Sequence, residues 1–194
     1  MKTSILLLLV SFFWISVSYS QSIQQLLESA KTKNENSDYR GAIDDYSKAI
    51  KLDSKNFEAY YWRAFSKDKI KDDQGAISDL SKVIEIEPNY TSAYLNRGIS
   101  KTNIEDYIGA ISDFNLVIKV EPNNALAYYN RGNCKDNLED QRGAIVDYTY
   151  SLKINPNFRN AHINSGISKG KLGDFVGARE NFSKAIELDP TYSQ

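Results

Sequence analysis

The chain has 194 residues, with 24 Lys and Arg against 25 Asp and Glu, for a net charge of −1. That balance excludes the basic footprint of a nucleic-acid binder and the acidic run of a charged tail. One Cys, one His and one Met leave little material for disulfide, redox or metal chemistry, no Gly-rich phosphate loop is present, and no cofactor is expected.

The first twenty residues, MKTSILLLLVSFFWISVSYS, differ in kind from the rest. Lys2 precedes an apolar run of thirteen residues, Ile5 to Val17, and Ser18 and Ser20 sit three and one before a cut after Ser20. This is the anatomy of a secretory signal peptide over 1–20, with a mature domain over 21–194. The run is shorter than the roughly twenty residues a membrane-spanning helix needs, so the expectation is export to a bacterial periplasm or out of the cell. No membrane association is expected after cleavage, and the alternative is an uncleaved anchor. No Cys follows the run, which argues against a lipoprotein anchor.

Beyond it the chain repeats. The decapeptide GAIDDYSKAI opens at Gly41 and returns in altered form at Gly75, Gly109, Gly143 and Gly177, each 34 residues after the last. A fixed period of this length marks a repeat array. The units run over about 23–56, 57–90, 91–124, 125–158 and 159–192. In unit 91–124 the second half carries Tyr107, Ala110, Ile111, Phe114, Val117 and Ile118, at steps of three and four that define a helix face. Asp106 precedes that face and serves as an N-cap; Asp38, Asp72, Asp140 and Asp174 hold the same place. Pro88, Pro122, Pro156 and Pro190 mark the exits, with Ser54 in the first unit. Ala42, Ala76, Ala110, Ala144 and Ala178 face Ala30, Ala64, Gly98, Gly132 and Gly166, small residues that let two helix backbones approach. The recurring glycine of the decapeptide has no reason in the sequence, since Ala is the better helix former.

A 34-residue helix–turn–helix unit with this small-residue, aromatic and Pro pattern resembles the tetratricopeptide repeat (TPR) over about residues 23–192. The resemblance implies an all-α, right-handed superhelical α-solenoid of stacked antiparallel helix pairs, with the first helices lining a concave groove. It implies a non-catalytic scaffold or adaptor that binds a protein or peptide. The alternative is a structural spacer or self-association module with no groove ligand. Departures lie at the ends, where Leu26 and His162 replace the aromatic found as Tyr60, Tyr94 and Tyr128.

Arg63, Arg97 and Arg131, each four residues before Lys67, Lys101 and Lys135, recur in step with Asp79, Asp113 and Asp147. Two readings arise, an anion site or a ladder of ion pairs tying first to second helices; the matched signs favour the ladder. The positions that face the groove in TPR proteins are occupied here by Tyr61, Trp62, Phe65, Leu95, Asn96, Ile99, Tyr129, Asn130, Ile163 and Asn164. An apolar groove with an Asn row would hold a peptide by apolar anchors while the amides bond its backbone. The rival reading packs these residues between neighbouring first helices. The carboxylate clamp of some TPR proteins is not expected, because Leu27, Trp62 and Ser92 stand with Lys31 and Asn96 where it would sit. Cys134 and His162 are read as packing or surface residues, not a nucleophile pair. Asn89 and Asn181 match the N-glycosylation pattern, the latter within a helix. After Pro190 only TYSQ remains, so weak homo-association or partner docking through the C-terminal helix is expected.

Overall fold

The computed structural model describes residues 22–189, all of whose regular structure is helical. The signal-peptide expectation and Pro190 fall outside the described residues. Ten helices occur among these residues: α1 (22–35), α2 (Tyr39–Leu52), α3 (Phe57–Lys69), α4 (Asp73–Ile86), α5 (Thr91–Asn103), α6 (Tyr107–Val120), α7 (Ala125–Asn137), α8 (Gln141–Ile154), α9 (Arg159–Lys171) and α10 (Phe175–Leu188). They fall into two compact units, α1–α4 ending at Pro88 and α5–α10 beginning at Asn89. Within each unit consecutive helices pack as antiparallel pairs, odd helix against even helix, as the 34-residue period predicts.

The turn inside each pair is built from backbone chemistry. In α3 the N–H of Lys71 bonds the Asp68 carbonyl at 3.0 Å and that of Asp72 bonds Lys67 at 2.9 Å, the Schellman pattern that closes a helix C-terminus. The same two bonds close α5, α7 and α9. The residue at the bend has φ near +60°: Ser37, Lys71, Glu105 and Glu139, with Gly173 at +82° in the last pair. This left-handed conformation strains the four non-glycine residues. The capping Asp comes next. Its Oδ1 accepts from the backbone N–H of the decapeptide glycine at 2.9–3.0 Å in all five pairs.

That cap accounts for the glycine. A Cβ built on Gly109 would lie 2.1 Å from Asp106 Oδ2, and the other four glycines meet their caps at 2.0–2.3 Å. An alanine there must displace the carboxylate and forfeit its hydrogen bond, which offsets the helix propensity it brings; each effect is about 1 kcal/mol. The two changes are therefore coupled. Asp106→Ala alone is expected to cost about 1 kcal/mol and to cost almost nothing in a Gly109→Ala background. Urea denaturation of the four chains of this cycle checks it; equal costs in both backgrounds would contradict the account.

The core of each pair is a large side chain over a small one. Phe114 is fully buried, and the Cβ position of Gly98 lies 2.7 Å from its ring; Tyr148 stands equally close over Gly132. Phe182 stands 2.8 Å from the Cβ position of Gly166. Burying one such ring contributes about 1.5–3 kcal/mol. In the first unit, Tyr46 packs in a cluster with Ala30, Ala42 and Ala49, and Asn34 donates to its hydroxyl at 3.4 Å. Burial raises the Tyr46 phenol to about 12, against that weaker hydrogen bond.

Candidate functional site

The polar ladder is structural. Arg97 Nε and Nη2 bind the two oxygens of Asp113 at 2.9 and 2.7 Å, and Lys101 Nζ joins at 2.8 Å. Arg131 and Lys135 hold Asp147, and Arg63 and Lys67 hold Asp79, with the same geometry. Each guanidinium also lies over the Tyr three residues before it, at 5.4–5.6 Å from the ring centroid. Asp79, Asp113 and Asp147 are buried, and Nη1 of Arg63 and of Arg131 donates to Ser47 and Asn115 of the preceding pair, so the cations are spent on internal partners and do not form an anion site. In the first pair Ser29, Lys33 and Lys48 surround Asp45. Burial alone would raise the Asp45 carboxyl, but those hydrogen bonds outweigh it and hold the group well below the ordinary carboxylate range. In the last pair the ladder becomes neutral, with Asn181 donating to Ser165 at 2.9 Å.

Cys134 belongs to a second periodic series. It is fully buried on α7, 3.2 Å from Thr102 Oγ1 on α5, at the place that Ser66, Ser100 and Ser168 occupy in other units. Ser66 and Ser168 use the place to donate to Asn34 and Asp136, tying successive first helices together within their units. Burial pushes the thiol up, away from a nucleophile's range. His162 Nε2 lies 3.0 Å from the Pro156 carbonyl oxygen, so the two residues serve separate local contacts. Among the described residues no group of three or more His, Cys, Asp and Glu is placed to hold a metal ion. No helix among them is long and apolar enough to cross a membrane.

The expected groove residues divide by unit. In the first unit Trp62 is 46% exposed and Phe65 36% exposed. Tyr61 and Trp62 meet edge to face at 5.3 Å, and Trp62 and Phe65 at 5.8 Å. Together with Leu27 on α1, Trp62 and Phe65 wall an open cleft of about 480 Å³ between the first helices of two successive pairs, floored by Tyr46 and Asn34. Charged residues Glu28, Lys31, Glu35 and Glu58 stand around it.

In the second unit the corresponding residues are more occupied. Leu95 and Ile99 are half-buried against the Phe114 core. Tyr129 packs its ring on Tyr148 and Phe158, at 6.0 and 4.6 Å. Asn164 donates to the Tyr129 hydroxyl at 3.2 Å and to Asn133 Oδ1 at 2.8 Å, and Tyr148 donates to the same Oδ1 at 2.9 Å. Asn130 has a buried amide nitrogen with no hydrogen-bond partner among the described residues. Asn96 and Ile163 are half-buried. A smaller polar cleft of about 280 Å³ opens beside this network, lined by Asn133, Asp136, Asn137 and Ile167. The Ser66/Ser100/Cys134/Ser168 series and the Asn133 hub escaped the sequence reading; the 34-residue recurrence of a small polar residue was the available signal for the first.

Three comparisons bear on this geometry. The family described as TPR repeat matches residues 30–67, and the tetratricopeptide repeat family matches residues 58–90 and 125–158. No curated protein matches the sequence. Among solved structures, MamA protein aligns at 25% identity over 90% of this chain and 97% of its own, with a TM-score of 0.82. MamA 41-end from Desulfovibrio magneticus RS-1 aligns at 20% identity over 89% of this chain and 98% of its own, with a TM-score of 0.84. YrrB, a TPR protein with an unusual peptide-binding site, aligns at 18% identity over 90% of this chain and 93% of its own, with a TM-score of 0.75. At 20% and 18% identity the last two are likenesses of fold alone.

Proposed function

The chain belongs to the tetratricopeptide-repeat family, and from that premise we propose that it is an exported, non-catalytic adaptor that binds a segment of a protein partner on its first helices. The observation that carries this reading is the cleft between α1 and α3, where Trp62 and Phe65 present open ring surface beside polar groups. Aromatic rings with an open face are the usual anchors of such interfaces. The paired helices hold the anchors in place before binding, so little ordering entropy is lost. The ladder of ion pairs serves rigidity, and neither Cys134 nor His162 is arranged for chemistry. Export rests on the composition of residues 1–20.

A second reading, self-association, has its own observation. Phe175 and Val176 at the start of α10 are 75% and 62% exposed, and Phe182 is 37% exposed where Phe114 and Tyr148 at the same place are buried. One experiment separates the two. The tagged chain captures proteins from the host's non-cytoplasmic fraction beside a Trp62→Ala/Phe65→Ala control, chosen because both side chains are exposed. A partner lost with the folded control supports the adaptor; capture of the chain alone by both supports self-association.

A further inference from the structure

Resting on that reading, we propose that the cleft between α1 and α3 takes an arginine or lysine side chain of the partner segment, flanked by an apolar residue. Its lining is of two kinds. One is aromatic and aliphatic, from Trp62, Phe65 and Leu27. The other is acidic, from Glu28 and Glu35 on α1 and Glu58 in the first turn of α3. Among the described residues no ion pair or side-chain hydrogen bond engages these three carboxylates, in contrast to the ladder aspartates. The cleft holds one cation of its own, Lys31, so acid exceeds base by three to one along its lining.

A long cationic side chain matches that division. Its methylene stem lies on apolar surface while its charged head reaches carboxylate oxygens. The open Trp62 ring adds an attraction for the head that a neutral side chain lacks. The neighbouring surface already shows the contact, with Lys69 Nζ 4.9 Å from the centroid of the Phe65 ring. An acidic partner residue would meet three like charges and one ammonium, so the same lining selects against it.

The test uses the full chain carrying Trp14→Phe, which leaves Trp62 as its reporter, and capped hexapeptides of Leu and Ser around one central residue. With central Arg or Lys, saturable change in Trp62 fluorescence is expected. With norleucine, which keeps the stem and removes the charge, affinity should fall about tenfold, and with Glu further. Glu28→Gln/Glu35→Gln/Glu58→Gln, all exposed positions, should bring the Arg peptide to the norleucine level, whereas Lys31→Met should tighten it. Equal binding of the Arg and norleucine peptides, or an Arg peptide indifferent to the triple change, overturns the cation assignment and leaves the adaptor reading standing. Failure of every peptide to bind overturns the cleft as a side-chain site, and the adaptor reading is then decided by the capture experiment alone.

Discussion

Replacing Asp113 with alanine is expected to cost about 3–5 kcal/mol, far more than the same change at an exposed acid such as Glu180. The reason is the number of charges that share one carboxylate. Arg97 and Lys101 both end on Asp113, and their side chains are only 17% exposed. Removing the anion leaves two cations facing one another in a site that water reaches poorly. The cost is that of the stranded charge, so it should shrink when the charges are removed together. Arg97→Met/Lys101→Met/Asp113→Leu is expected to be much closer to the parent than Asp113→Ala, since a buried ion cluster contributes little net stability over an apolar one of similar size. Urea denaturation gives both numbers. A midpoint unchanged by Asp113→Ala would remove the ladder from the account of the fold.

The second large effect is steric. Gly98→Ala introduces a Cβ that would lie 2.7 Å from the Phe114 ring, closer than atoms pack, and the ring is fully buried with nowhere to retreat. Overpacking of this kind costs about 1–3 kcal/mol. The chain pairs an alanine with a smaller partner once, Ala64 opposite Leu80 one repeat earlier, while in the first pair Ala30 stands opposite Tyr46. Gly98→Ala combined with Phe114→Leu should therefore be more stable than the sum of the separate losses predicts, with a favourable coupling of about 1 kcal/mol or more between them. Additive losses would show that the close approach of α5 and α6 is set by something other than this pair.

Much of this was readable beforehand because a repeat states each rule several times. The Asp caps, the small residues between paired helices and the Arg/Lys–Asp ladder all depend on contacts within one helix pair, and such contacts leave their mark at a fixed spacing in the sequence. The glycine of the decapeptide was visible but unexplained, because its reason is a distance between its missing Cβ and a side chain three residues away. The bend residues were hidden for a different reason. Ser37, Lys71, Glu105 and Glu139 are not residues that advertise a positive φ, and only Gly173 at the same place hinted at it. The face of the first helices was least legible. Whether a half-apolar residue lines a groove or packs on its neighbour depends on side-chain volumes in adjacent units. The structure brings Trp62 and Phe65 to an open cleft and gives Tyr129 and Asn164 internal partners.

The central claim is that a partner lies on the first helices of the pairs. Photo-crosslinking in the native host tests it most directly, with benzoylphenylalanine placed singly at Trp62 and Phe65 on the first helix that lines the cleft and at Ile108 and Val146 on second helices, all exposed. The account predicts a shared adduct with one partner protein from Trp62 and Phe65 and none from Ile108 or Val146. Adducts from Ile108 and Val146 alone would place the partner on the second helices and contradict it.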